Sequence, residues 1–352
     1  WYLKLRSVLI EYGFVENPHD PCVFNVTRDN CQCTIGVHVD DLLMTCKKQG
    51  VLDDVTKFLI TKFKEVKVHD GNEHEYLGMR LKIINGGITV DMCTYVSECV
   101  QWYGVEGTAS TPALGDLFDT PTATFLNREE RERFHSMVAK LLFVAKRTRP
   151  DILLAVSHLS SRVSEPTEDD SAKLTRLIKY LNGTVEYLLH FDSSAEISIE
   201  GLIDASFCVH EDGRSRTGLQ ICMAGCTVLA MTSKQKVTAK SSTEAEIIGL
   251  SDFSSEVMGL REFLLNQGYT MPATKLYQDN KGVMSLIKAG KSNSYRTRHL
   301  KARYFFIKDH IEQGDIVLEY MPTKQMTADV LTKPLGGSLF KSLVSKLLGY
   351  KV

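Results

Sequence analysis

Read for its apolar positions, the chain changes character three times. Over residues 1–103 short apolar runs alternate with polar turns. Tyr2, Leu5, Val8 and Leu9 recur at helical spacing. The runs 22–26 and 33–39 read as two strands of a hairpin turning at Asp29-Asn30. Asp40-Asp41 follows, then a strand over 42–45. The spacing predicts an amphipathic helix over 51–63, and 76–81 with 87–90 reads as a further strand pair.

Residues 104–127 are rich in Gly, Thr, Ala and Pro, with Thr111-Pro112 and Thr120-Pro121 as breakers, and read as a linker. Helical spacing then holds over 128–146, 150–163 and 167–181, with Leu141, Leu142, Ile152, Leu153 and Val156 as core candidates. Pro150 and Pro166 fit helix starts. From about 191 strands return at 197–203, 218–223 and 227–232. A long helix follows at 243–266, then a strand at 275–278, helices at 281–289 and 296–311, a strand at 316–320 and a closing helix. Strands first and βα units after imply a mixed sheet of five strands covered by helices. The strand before Asp204 and the strand before Asp279 can lie side by side through a crossover. The expected organisation is therefore 1–103, a linker 104–127, a helical unit 128–190 and an α/β domain 191–352, α+β overall.

Composition changes this picture little. The chain has 352 residues and a formal charge of −1, so any affinity for nucleic acid must come from local patches. Its nine cysteines include no C-x-x-C pair, which disfavours zinc and fits reduced thiols in cytoplasm or nucleus. No apolar stretch reaches a membrane span. The chain opens at Trp1 in a helical pattern, which reads as a piece of a longer polypeptide.

The chemistry lies in four acids of the last domain. Asp204 and Asp279 close apolar strands, Glu246 opens the long helix, and Asp329 sits in the helical stretch 325–331. Clustered carboxylates repel unless cations sit between them, and an all-oxygen set suits Mg²⁺ or Mn²⁺. Two such ions can clamp the attacking and leaving oxygens of a phosphodiester. Each acid has a plainer reading. Asp204 can start a turn, Asp279-Asn280 can cap the next helix, Asp329 can be a solvated helix acid, and Thr243-x-x-Glu246 and Ser241-x-x-Glu244 are both capping boxes. Phase separates the glutamates. Leu250, Phe253, Val257, Leu260 and Leu264 lie on the stripe of Glu246, whereas Glu244 heads a wetter face. Asp40 and Asp41 lie between two strand-like arms. Arg296, Arg298, Lys301 and Arg303, and Lys234, Lys236 and Lys240 before the long helix, read either as solvated faces or as phosphate contacts.

Several motifs carry a family resemblance. Ile203-Asp204-Ala205, Ser242-Thr243-Glu244-Ala245-Glu246, Gln278-Asp279-Asn280 and Thr327-Ala328-Asp329-Val330-Leu331-Thr332-Lys333 resemble the ribonuclease H domain of copia-type retrotransposon polyproteins. Val37-His38-Val39-Asp40-Asp41 resembles the Tyr-x-Asp-Asp loop of reverse transcriptases, and Tyr76-Leu77-Gly78-Met79 their later palm strand. Thr148-Arg149-Pro150-Asp151-Ile152 and Tyr180-Leu181-Asn182-Gly183-Thr184 resemble the family's thumb and connection. The motifs occur in the family's order over essentially the whole chain.

The resemblance implies a partial reverse-transcriptase palm, a helical thumb or connection, and a ribonuclease H-like domain. It implies two Mg²⁺ ions, replaceable by Mn²⁺, on Asp204, Glu246, Asp279 and Asp329, cutting the RNA strand of an RNA–DNA hybrid. His38 stands where the family has Tyr and offers a flat ring near a primer end. The implied partners are template–primer nucleic acid and the rest of the polyprotein, inside the cell in a virus-like particle or the nucleus. Two departures stand out. The third palm aspartate falls upstream of Trp1, so polymerase activity is expected of the full-length parent only, and no His precedes Asp329 between Tyr320 and Ala328. The alternatives are an inactive remnant that binds hybrid without cutting it, and an integrase-like relative, which would lack a counterpart of Glu246.

Overall fold

The computed structural model describes residues 1–120, 123–289 and 301–350, without the side chains of 301–305. Arg296 and Arg298, and the side chains of Lys301 and Arg303, therefore lie outside the described residues. The chain forms two compact units, residues 1–82 with 258–271, and residues 83–257 with 272–352.

The first unit opens with α1 (Tyr2–Tyr12), which ends at Gly13 in the left-handed region. Strands β1 (Val15–Asn17), β2 (Asp20–Arg28), β3 (Cys31–His38) and β4 (Asp41–Cys46) form an antiparallel sheet in that order. The β2–β3 turn falls at Asp29-Asn30, both with positive φ, as the polar pair predicts. Helix α2 (Gln49–Lys62) and α1 cover the sheet, burying Leu5, Leu9, Phe24, Ile35, Val55 and Leu59. A hairpin β5 (Glu73–Tyr76) and β6 (Met79–Ile84) follows. Here the expected single strand over 76–81 is two strands. Leu77 and Gly78 both take positive φ, so Tyr76 pairs back on Met79 across a two-residue turn.

In the second unit β7 (Gly87–Asp91) pairs antiparallel with β8 (Leu189–Asp192). Between them run α3 (Cys93–Tyr103), α4 (Arg128–Ala145), α5 (Leu153–Ser160) and α6 (Glu168–Asn182). Asn127 and Thr167 start α4 and α6 with complete capping boxes. Pro150 opens a 3-10 turn ahead of α5, in keeping with its fixed φ and missing N–H. The stretch 104–120 has no helix or strand, yet it buries Thr111, Leu117 and Phe118.

His158 on α5 is buried, and its Nε2 has no hydrogen-bond partner among the described residues. Burial first, then the charges of Lys173 and Arg216, push its pKa from 6.5 down to about 4. The folded state thus holds this ring neutral while the unfolded chain protonates it, so stability falls as pH drops from 6.5 toward about 4. A shift of this size corresponds to about 3 kcal/mol at the acid end. His210, lowered by burial and by Arg216, adds in the same direction. Urea melts of wild type and His158→Asn at pH 4.5 and 7 check this; the variant is expected to lose less stability on acidification.

The rest of the unit is the expected mixed sheet. Strands β9 (Glu200–Ser206), β10 (Arg216–Met223) and β11 (Cys226–Lys234) form an antiparallel meander. Helix α7 (Ser242–Asn266) leads to β12 (Thr274–Gln278), which pairs parallel with β9. Helices α8 (Lys281–Ala289) and α9 (Lys301–Glu312) precede β13 (Ile316–Tyr320), parallel to β12. The order is β11-β10-β9-β12-β13, the mixed sheet of five strands that the pattern implies. A 3-10 segment Thr327–Leu331 and α10 (Gly337–Leu347) close the chain. Among the described residues no helix is long and apolar enough to cross a membrane.

Two glycines let elements approach the sheet. A Cβ on Gly218 would lie 2.7 Å from Leu331 Cβ and 2.8 Å from Thr332 Cγ2. The bare backbone of β10 therefore admits the segment that carries Asp329. A Cβ on Gly249 would meet Thr217 Cγ2 at 2.7 Å, so α7 packs close over β10 just beyond Glu246. Gln235 fixes the start of α7 from below, its Nε2 donating to Thr217 Oγ1 at 2.9 Å and to the Ala245 carbonyl at 2.8 Å.

Candidate metal centre

Three carboxylates from three elements converge at one end of β9 and β12. Asp204 lies within β9, opposite Gly218, rather than at its end, because the strand extends to Ser206. Asp279 directly follows β12, and Glu246 lies in the first two turns of α7. One oxygen of each lies within 4.8 Å of the others. Asp204 and Glu246 are buried and Asp279 is half-buried.

Each carboxylate is held from behind. Gln278 Nε2 donates to Glu246 Oε2 at 3.3 Å, while Gln278 Oε1 accepts the backbone N–H groups of Asp279 at 2.9 Å and Asn280 at 3.2 Å. Thr323 Oγ1 donates to Asp279 Oδ2 at 2.8 Å. Thr332 Oγ1 donates to Asp204 Oδ2. Asn280, not Asp279, caps α8, accepting from Gly282 N at 3.0 Å and Val283 N at 3.2 Å. Asp279 thus has an oxygen free of the capping role that its position could have imposed.

The two glutamates divide as the helix phase implies. Glu244 turns back to the start of the helix: its N–H donates to Ser241 Oγ at 3.2 Å and its Oε2 accepts from Lys240 N at 2.9 Å. That fold-back buries Glu244 as well, although the face it heads is the wetter one further along, with Ser255 and Glu262 exposed. Glu246 points to Asp204 and Asp279. Leu250, Phe253, Val257 and Leu264 on its stripe are buried, and Leu260 is half-buried.

Asp329 arrives by a different route. It is buried in the 3-10 segment and is not among the three mutually close carboxylates; Lys333 links it to them. Lys333 Nζ donates to Asp329 Oδ1 at 2.7 Å and Asp204 Oδ1 at 3.2 Å. Lys333 ends the last family motif without a role expected of it; its place four residues after Asp329 is the sequence signal for this pairing.

The electrostatics record an excess of negative charge. Burial first, then the charges of Asp204 and Asp279, raises the Glu246 pKa well above the usual carboxylate value. Burial and Asp204 push Asp329 up to about 7 against the pull of Lys333. For Lys333 burial favours the neutral amine, but Asp204 and Asp329 outweigh it and hold the ammonium. Three buried or half-buried oxygens facing one point, with Glu246 unwilling to ionise alone, fit a hard divalent cation.

The other candidates lie elsewhere. Asp40 sits in the two-residue β3–β4 turn beside Val39, which takes a positive φ, and Asp41 pairs with His38 at the base of that turn. All three charged or polar residues of that tip are exposed. Lys234 ends β11 with Nζ 2.7 Å from Asp212, and Lys236 and Lys240 are exposed ahead of α7.

Residues 1–114 match the family model described as reverse transcriptase (RNA-dependent DNA polymerase). The chain is 28% identical over 99% of its length to the retrovirus-related Pol polyprotein from transposon RE1 of Arabidopsis thaliana. The chain is similar over nearly its whole length to copia-type retrotransposon Pol polyproteins. Other relatives of this family are the Pol polyprotein from transposon TNT 1-94 of Nicotiana tabacum, 26% identical over 99% of the chain, and the transposon Ty1-JR1 Gag-Pol polyprotein of Saccharomyces cerevisiae, 24% over 98%. The Pol-type chain spans about a quarter of the length of these relatives, 24%, 27% and 21% respectively. Among solved structures, LC11-RNase H1 aligns over 39% of the chain and 94% of its own length, at 17% identity and a TM-score of 0.32. The same enzyme in complex with an RNA/DNA hybrid aligns over 38% of the chain, at 13% identity and a TM-score of 0.30.

Proposed function

We propose that the segment 191–352 is a metal-dependent ribonuclease acting on the RNA strand of RNA–DNA hybrids. The observation that carries this reading is the convergence of Asp204, Glu246 and Asp279, from a strand, a helix and a second strand end, within 4.8 Å. Asp204, Glu246 and Asp279 would hold the ions, and Asp329 would join through the face it shares with Asp204. A bound pair of Mg²⁺ ions, or Mn²⁺ in their place, supplies a hydroxide at neutral pH and neutralises charge on the leaving oxygen. The chain's own residues do the positioning. Gln278 sets the rotamer of Glu246, Thr323 that of Asp279, and Thr332 with Lys333 that of Asp204. Outer partners of this kind fix ligand direction and basicity. Distinction of RNA from DNA would rest on contacts to 2′-hydroxyls and on groove shape.

In the first unit, Asp40 and Asp41 at the exposed hairpin tip, with His38 beside them, are proposed as part of a polymerase metal site of the longer polyprotein. Hybrid template–primer is then the shared partner of both parts.

The test is hydrolysis of a labelled RNA–DNA hybrid by residues 1–352. Cleavage is expected with Mg²⁺ or Mn²⁺, abolished by EDTA and restored by excess Mg²⁺. Undiminished cutting in EDTA, or none of the hybrid with either ion, contradicts the reading.

A further inference from the structure

The second unit carries a hollow that the metal centre does not use. It lies between the stretch after α3 and the outer face of α6. It is lined by Thr108, Ala109, Ser110, Thr175, Arg176 and Lys179, together with Ala172, and encloses about 490 Å³. Ala109 N donates to the Lys179 carbonyl at 3.1 Å, and Asn182 Nδ2 donates to the Gly107 carbonyl at 3.1 Å, so the two walls are tied together.

The lining is electrostatically one-sided. Its two charged side chains are both cations, and no carboxylate is among them. Among the described residues neither Arg176 nor Lys179 has an ion-pair partner, although α6 elsewhere pairs its cations, as Lys173 does with Asp169 at 2.6 Å. Arg176 Nη2 donates to Thr111 Oγ1 at 3.0 Å, which fixes the guanidinium plane. Its Nε is shielded from solvent and has no acceptor. A shielded donor of a cation left without a partner is costly. The hydroxyls of Thr108 and Ser110 lie along the same space, while that of Thr175 donates to the Ser171 carbonyl at 2.9 Å. A guanidinium fixed by one bond, an unpaired ammonium and two hydroxyls match a tetrahedral oxyanion, which accepts several charge-assisted hydrogen bonds at once.

We propose that this hollow is a phosphate-binding site, distinct from the metal centre. A pocket of this size exceeds a bare phosphate and falls within the range that holds a nucleotide-sized group. The phosphate can come from the backbone of a nucleic-acid strand or from a free nucleotide or inorganic phosphate. Both sources present the same oxyanion to Arg176 and Lys179. The inference does not depend on hydrolysis, because binding is measured with the metal removed.

The experiment compares wild type, Lys179→Gln, Arg176→Gln and the conservative Arg176→Lys, all in residues 1–352 and in EDTA. Lys179→Gln alters a half-buried side chain with no recorded bond and tests the site even if Arg176→Gln folds poorly. One arm follows fluorescence anisotropy of a labelled RNA–DNA hybrid across a salt titration. Loss of one phosphate contact is expected to weaken binding roughly three- to tenfold near 0.1 M salt and to reduce the salt slope by about one. Arg176→Lys should recover part of both. The other arm follows the melting temperature in inorganic phosphate and in a nucleoside monophosphate. If the salt slope falls in the variants, the site holds a strand phosphate. If it does not, but phosphate raises the melting temperature of wild type and not of Lys179→Gln, the site holds a free phosphate. If slope, affinity and phosphate-induced stabilisation are all unchanged in Lys179→Gln and Arg176→Lys, the proposal is overturned. Cleavage by wild type in Mg²⁺ is scored separately, so failure of this site and failure of the nuclease reading are told apart.

Discussion

Glu246→Gln is expected to cut hybrid hydrolysis by at least about a hundredfold, since the outer partners of metal ligands alone are worth about 10–100-fold. The amide keeps the shape of the side chain and can still meet Gln278, now 3.3 Å from Glu246 Oε2. It removes a charge that burial, Asp204 and Asp279 already oppose. The melting temperature should therefore stay level or rise. Glu244→Gln is the control two residues away. It disturbs the bonds with Ser241 and Lys240, at a cost of about 1 kcal/mol in stability, and should leave hydrolysis in place. Steady-state cleavage and thermal melts of both variants measure this. A dead Glu244 variant beside an active Glu246 variant would mean that the helix presents the other glutamate to the centre.

The largest stability effect is expected at a pair of residues outside the acid cluster. Arg149 and Asp151 are each 1% exposed and form a bidentate pair, Nε to Oδ1 at 2.9 Å and Nη2 to Oδ2 at 2.8 Å. Tyr180 OH donates to Asp151 Oδ2 at 2.7 Å, and Arg149 reaches the Thr184 carbonyl at 2.8 Å and its Oγ1 at 2.7 Å. Asp151→Asn leaves the guanidinium buried without its counter-charge and should cost about 3–5 kcal/mol. Arg149→Met strands the carboxylate in the same way. The double change Arg149→Met with Asp151→Asn removes both charges and should cost clearly less than the two single changes added together. Urea denaturation of the four proteins reads the coupling. Additive losses would mean that the pair is not acting as a unit.

That pair also explains what the sequence could and could not convey. Thr148-Arg149-Pro150-Asp151-Ile152 and Tyr180-Leu181-Asn182-Gly183-Thr184 stood out only by resemblance, since nothing in either segment states that it meets the other. In the fold they are one buried hydrogen-bonded network. The stripe behind Glu246 was legible because a helix repeats its burial every turn, and the β9–β12 adjacency because βα crossovers constrain neighbours. The break at Leu77-Gly78 was not, because a left-handed Leu gives no local sign of itself beyond the glycine that follows. Asp329 was expected as a fourth metal ligand on a helical stretch, and it is not among the three mutually close carboxylates. Its actual tie to Asp204 runs through Lys333 and the side-chain-free backbone of Gly218, contacts that no periodicity encodes. The stretch 104–127 read as linker because its composition is that of a loop, yet Leu117 and Phe118 are buried there.

The proposed centre of Asp204, Glu246 and Asp279 cuts RNA paired to DNA. The most direct measurement uses a hybrid labelled on both strands, incubated with residues 1–352 and Mg²⁺, with the product ends mapped. Cuts are expected in the RNA strand only, leaving 5′-phosphate and 3′-hydroxyl ends, and none with Asp204→Asn. Cleavage of the DNA strand at a comparable rate, or RNA cleavage that survives Asp204→Asn, would contradict this reading.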